Sequence, residues 1–212
     1  MKKILLLLIL IIAALSICAC GKNKASYDVQ KDNVKSTGTV NESNTAKYEL
    51  TDILNNKIPF TDKSGKSVYL KNYRSEKYPD LQITPEKYAI IDLDNDGVNE
   101  LVLYASPNFG LYLIFHEYNG VIYSFEFVER AMINLKQDGS FIQSSGAEIN
   151  SYVVLEFDKN TYKIIEEAYH DDFSQTYRIN GKECSLKDIN IYETSFKNKA
   201  SVEWCVKNIK NN

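Results

Sequence analysis

The sequence predicts an α+β domain dominated by β structure, an antiparallel meander with an N-terminal helix before it and a C-terminal helix after it. Three observations carry this. Short apolar runs of strand length recur between residues 67 and 179, with turn residues between them. Asn119-Gly120 lies between two such runs and Asn180-Gly181 follows another; these dipeptides suit two-residue hairpin turns, in which both positions need φ > 0. Helical signals occur only in two stretches flanking the runs.

The elements follow in chain order. The first is a helix over residues 46–56, where Leu50, Ile53 and Leu54 have i, i+3, i+4 spacing, Asn44 or Thr45 caps the start and Pro59 stops it. Strands are expected at 67–71, 88–93, 101–105, 111–118, 121–128, 140–143, 152–157, 162–169 and 176–179. Asp138-Gly139 and Asp158-Lys159-Asn160 mark further reversals. Sequential hairpins imply antiparallel pairing, because parallel neighbours need long crossovers. The closing helix runs over 186–196, with Ser185 as N-cap. No internal repeat accompanies these elements, so an array of repeats is not expected.

The chain has 212 residues, room for one ordinary domain plus accessory segments. Its first twenty residues read in three parts. Lys2 and Lys3 form a positive n-region, residues 4–15 are unbroken apolar, and Ser16-Ile17-Cys18-Ala19-Cys20 closes the run. The apolar stretch is shorter than the roughly 20 residues a spanning helix needs. Ile17-Cys18-Ala19-Cys20 resembles the lipobox of bacterial lipoproteins, which has an aliphatic residue at −3, a small one at −1 and a modified cysteine. Cys18 is the rival acceptor, with Leu15 at −3, but its −1 residue is the large, branched Ile17. The resemblance implies a signal peptide over 1–19, a palmitate-type diacylglyceryl thioether on Cys20, and a place on the extracytoplasmic face of the cell membrane. At about 0.8 kcal/mol per buried methylene, two or three acyl chains hold a protein stably where one does not.

Residues 20–45 are rich in Lys, Asn, Ser, Thr and Asp and poor in large apolar side chains. They cannot bury enough surface to offset the entropy of ordering, so a disordered tether is expected, with a reach of roughly 25–30 Å. One extracytoplasmic domain is then expected over 46–212. Loss of Lys2 and Lys3 with the leader leaves 23 basic against 28 acidic residues, or −5. An acidic surface offers phosphate backbones nothing, so no nucleic acid is expected as partner.

The most informative segment is Ile91-Asp92-Leu93-Asp94-Asn95-Asp96-Gly97-Val98-Asn99-Glu100-Leu101. Asp92, Asp94 and Asp96 occupy positions 1, 3 and 5 of a calcium loop, Gly97 its sharp turn, and Val98 would offer a carbonyl at position 7. Glu100 falls at position 9, and position 12 is Leu103 rather than the glutamate of an EF-hand. With strands expected on both sides, the loop resembles the shorter D-x-D-x-D-G-x-x-D/E calcium turns of integrin-type propellers. That resemblance implies that Glu100 closes the coordination shell. Clustered carboxylates repel one another, and a hard dication relieves them; calcium accepts such a flexible cage of oxygens more readily than magnesium. The expected cofactor is therefore a structural calcium ion. The same residues also make an ordinary solvated Asp/Asn/Gly turn.

Other constellations are weaker. His116 and His170 are the only histidines. His170-Asp171-Asp172 could supply a base and its orienter, or a metal ligand, with Ser144 or Ser145 as nucleophile. No nucleophile elbow surrounds these serines, and Ser-Ser-Gly reads as a turn, so no catalytic residue is assigned. Tyr112, Tyr118 and Tyr123 sit around one hairpin and either pack or present an aromatic row to sugars or a protein partner. Cys184 and Cys205 bracket the last helix, and in an exported protein a disulfide between them is expected, worth roughly 3 kcal/mol.

From Tyr88 to Trp204 the chain resembles a loose group of Firmicute lipoproteins of unknown function. The pieces that carry this are Ala89-Ile90-Ile91-Asp92-Leu93-Asp94, His116-Glu117-Tyr118-Asn119-Gly120, Ser144-Ser145-Gly146, Tyr177-Arg178-Ile179-Asn180-Gly181-Lys182 and Val202-Glu203-Trp204. The group implies no activity. The expectation is a non-enzymatic binding or structural module with a cell-wall or protein ligand; the alternative is a calcium-dependent hydrolase of cell-wall or peptide substrates.

Overall fold

The computed structural model describes residues 49–80, 82–105 and 110–206. The expected signal peptide, Cys20 and the tether lie outside the described residues. What is described is β-dominated and built on antiparallel sheets, as the turn pattern implies. The elements are α1 (Thr51–Leu54), β1 (Phe60–Thr61), β2 (Ser67–Val68), β3 (Pro85–Ile91), β4 (Glu100–Ala105), β5 (Leu111–Tyr118), β6 (Val121–Val128), β7 (Phe141–Ser144), β8 (Ile149–Asp158), β9 (Thr161–Asp171), β10 (Thr176–Ile179), β11 (Lys182–Glu183), α2 (Leu186–Asn198) and β12 (Cys205–Val206).

They form two sheets. One has seven strands in the order β12-β3-β4-β5-β6-β1-β2, the other five in the order β11-β10-β9-β8-β7. The meander expectation therefore holds within runs of neighbours and fails at two places. β1 joins β6 in parallel through one pair, Thr61↔Tyr123. β12 returns from beyond α2 to pair with β3. Both are short strands whose pairing depends on distant partners, which local alternation does not encode.

Both Asn-Gly turns behave as their sequence requires. Asn119, Gly120, Asn180 and Gly181 all have positive φ, closing the β5–β6 and β10–β11 hairpins. The N-terminal helix is shorter than expected. Its described part is the single turn Thr51–Leu54, whose N-cap Leu50 makes no side-chain cap, and Asn56 then turns to positive φ. In α2 the expected cap is complete: the Ser185 side chain accepts from Asp188 N, and Asp188 answers with a carboxylate to Ser185 N.

Side-chain alternation distributes the core over three interfaces. Leu101, Leu103, Leu113 and Phe115 face the N-terminal segment, meeting Ile53, Phe60 and Tyr73. Val102, Ile114 and Phe127 point the other way, against Phe141, Val153 and Leu155 of the second sheet. Tyr152 and Ala168, on the far side of that sheet, receive Ile189 and Phe196 of α2. The second interface, between the sheets, is the one that positions the acidic loop.

Candidate metal centre

Glu100 begins β4, and the register of that strand decides where its carboxylate goes. Leu101 pairs with Phe115 on the face toward the N-terminal segment, so Glu100, one residue earlier, points between the sheets. It is fully buried. The next inward residue of β5 beyond Ile114 is His116, also buried, and its Nδ1 shares a 3.0 Å hydrogen bond with Glu100 Oε1. Leu93 N donates to Glu100 Oε2 at 2.9 Å.

The preceding loop folds around its own first carboxylate. Asp96 N and Gly97 N donate to Asp92 Oδ1 and Oδ2 at 3.1 and 2.9 Å. Gly97 has φ +89°, the left-handed turn that its place in the loop required. Asp94 reaches across to the second sheet, where Phe157 N donates to its Oδ2 at 3.2 Å. Its Oδ1 is buried and finds no hydrogen-bond partner among the described residues.

Asp92, Asp94 and Glu100 each bring one oxygen to a common point, all within 4.8 Å of one another, and this acidic triad could hold a metal ion. Asp96 does not join it: its carboxylate takes Val98 N at 2.7 Å on the exposed side of the loop. Val98 is itself exposed. Three of the five residues expected as ligands are thus brought together through side chains, with Asp96 turned to the backbone.

Burial raises the pKa of both Asp94 and Glu100. For Asp94 the Phe157 amide works against this, while the charge of Asp96 adds to it. For Glu100 the hydrogen bonds from His116 and Leu93 N oppose the rise. Carboxylates gathered in poor solvent are costly as anions, and a bound cation would remove that cost. Asp94 Oδ1 is one of two buried side-chain atoms without a hydrogen-bond partner among the described residues, and the other, His170 Nε2, lies within an ion pair.

Sequence reading missed the supports. The turn bearing Gly139 packs directly on the loop: a Cβ there would stand 2.2 Å from Leu93 O. Asn95 Nδ2 donates to Asp138 O at 3.2 Å, and Lys199 Nζ, just beyond α2, holds Asp138 and Ser140 at 2.8 and 3.1 Å. His116 is stacked under Phe157, ring centroids 4.5 Å apart. Asp138-Gly139 was visible only as a turn, and the cross-strand pairing of Glu100 with His116 needed the register.

The remaining candidates take other roles. His170 lies between Glu193, 2.5 Å from its Nδ1, and Asp172, 2.8 Å from its Nε2; the second contact is an ion pair poorly directed for a hydrogen bond. Asp171 closes its own turn by accepting from Phe173 N and Ser174 N. Ser144 Oγ donates to Gly146 O at 2.7 Å and accepts from Arg130. Among the described residues no hydrogen bond joins Ser144 or Ser145 to a histidine. Tyr112 packs against Tyr104 and Trp204, whereas Tyr118 is exposed.

The expected disulfide is corrected: Cys184 and Cys205 are free thiols. Cys184 packs with the cluster under α2, while Cys205 pairs with Tyr88 at the edge of the other sheet. Nearness to the two ends of one helix did not bring them together, because the chain leaves α2 for a different sheet.

Comparison with protein-family models, with curated proteins and with solved structures found no match.

Proposed function

We propose that this chain is a lipid-anchored extracytoplasmic module, attached at Cys20, whose Asp92–Glu100 loop holds a structural calcium ion and whose domain binds a ligand without transforming it. The observation that supports the metal is the convergence of Asp92, Asp94 and Glu100 around a buried Asp94 Oδ1 without a partner. Calcium suits a set of oxygens on a loop better than magnesium, and Asp96, the Val98 carbonyl or water would complete its 6–8 ligands. The ion would staple the loop between β3 and β4 to the second sheet, because Asp94 already touches Phe157.

The test is a thermal melt with calcium and with chelator. At free calcium 100 times Kd the native state gains about 2.7 kcal/mol, or roughly 5–10 °C in Tm for a domain of this size. Equal midpoints in the two buffers would count against the site. Incorporation of radiolabelled palmitate that is lost in Cys20→Ala tests the anchor.

A second reading, a calcium-dependent hydrolase of cell-wall or peptide substrates, draws on the nearness of His116 to Glu100. The burial of His116 beneath Phe157 weighs against it, since a general base must reach its substrate.

A further inference from the structure

A cleft of about 350 Å³ opens between the β1–β2 turn, β6 and the β8–β9 turn, and no residue of the acidic loop lines it. Its size lies at the lower end of small-molecule sites. Tyr73, Tyr123, Phe125 and Tyr162 line it, and the rings of Tyr73, Phe125 and Tyr162 are fixed by aromatic neighbours. Phe125 meets Tyr162 edge-to-face at 5.2 Å and stacks on Phe157 at 5.5 Å. Tyr162 packs its ring against the core between the sheets; its hydroxyl makes no hydrogen bond among the described residues, and the ammonium of Lys63 acts on it through charge alone. Asn160, exposed in the β8–β9 turn, likewise makes no side-chain hydrogen bond among the described residues.

Charge decides what such a cleft takes. Its acids are Asp62, Glu76 and Glu126, its bases Lys63 and Lys77. Each acid is already answered by the protein. Glu126 accepts from Tyr73 Oη at 2.5 Å, Glu76 N at 3.1 Å and Ser75 Oγ at 3.0 Å. Asp62 accepts from Ser64 Oγ and Lys66 N, and Glu76 pairs with Lys63 at 3.1 Å. No acid is left without a donor, so none calls for a cation; Lys63 is paired with Glu76, and Lys77 is exposed. Glu126, with about four acceptor sites and three donors, keeps room for one neutral donor, beside a free tyrosine hydroxyl and a free amide. Apolar ring faces next to spare, uncharged hydrogen-bonding groups match a molecule with one C–H face and a rim of hydroxyls.

We propose that this cleft binds a neutral saccharide, one sugar ring stacked on the aromatic wall and hydrogen-bonded to Glu126, Asn160 and Tyr162. This rests on the binding-module reading above and names its ligand class.

The purified protein, in calcium, is applied to an array of neutral mono- and oligosaccharides, and the strongest ligand is then titrated calorimetrically; choline chloride serves as the cationic probe. A neutral glycan should bind, with Kd weakened roughly three- to tenfold by Tyr162→Phe and by Asn160→Ala. Both variants remove groups that make no hydrogen bond among the described residues, so their melting should match the parent. Lys187→Ala, on the outer face of α2, should leave Kd unchanged. A blank array, a glycan whose Kd neither variant moves, or choline binding in place of sugar would overturn the proposal. A blank array beside an intact calcium-dependent melt would refute the saccharide alone; loss of both would remove the calcium reading as well.

Discussion

Gly139→Ala is the sharpest probe of how the acidic loop is held. A Cβ at this position would lie 2.2 Å from Leu93 O and 2.8 Å from Leu93 C. Leu93 cannot withdraw easily, because its side chain is fully buried and its N–H is bonded to Glu100. Overpacking of this kind costs about 1–3 kcal/mol. The residue also has φ +79°, which adds about 1–2 kcal/mol for any side chain. Together these give about 2–5 kcal/mol, or a fall in Tm of roughly 5–15 °C. Gly65→Ala separates the two causes. It has φ +81° with nothing within 4 Å of the added Cβ, so it carries the backbone cost alone and should fall by a few degrees. Calorimetric melts of both variants, in chelator, make the comparison independent of metal. If Gly139→Ala melts with Gly65→Ala, the contact with Leu93 is not a constraint and the account of the loop's support is wrong.

Asp94→Asn should abolish most of the calcium-dependent rise in Tm while leaving the metal-free midpoint equal or higher, because it removes a buried charge whose Oδ1 lacks a partner; calcium-independent melting of the parent, or a calcium response retained in the variant, refutes this. For His170, burial lowers the pKa, but the hydrogen bond with Glu193 and the charges of Glu193 and Asp172 outweigh it and the net direction is up. A raised folded pKa means stability present in full below the unfolded value near 6.5 and lost as pH rises through the folded value. Stability measured by urea unfolding should therefore decline above neutrality, and His170→Gln should flatten that slope; an unaltered slope would count against the bridge to α2. Ser185→Ala should cost about 1 kcal/mol through loss of the capping box, read as a lower urea midpoint. Cys184 and Cys205 should both take up iodoacetamide after denaturation without reductant, and a mass showing neither alkylated would restore the disulfide.

Local chemistry made part of this molecule legible. β5 and β6 fall where expected because alternation and an Asn-Gly turn agree over the whole hairpin. α2 was visible through Ser185, and the acidic triad through the 1, 3 and 9 positions of the loop. What was hidden depends on partners far away in sequence. β1 joins the rest of its sheet through a single parallel pair with Tyr123, and nothing in Phe60-Thr61 announces it. Glu100 looked like a ligand on a solvated turn, whereas strand register buries it beside His116. The cleft draws Tyr73, Glu126 and Tyr162 from three separate elements, so no local motif could have revealed it.

The reach of Asp94 to the Phe157 amide bears on the order of events in folding. Asp92 and Glu100 belong to the β3–β4 hairpin, but Asp94 gains its place only when the two sheets have closed on each other. A lone hairpin therefore offers an ion an incomplete nest. The complete one appears at the end of assembly, after contacts between residues more than sixty positions apart have formed. An ion arriving then would act as a latch: it would slow reopening of the sandwich more than it speeds closure, and its effect should show in the unfolding limb of a chevron plot.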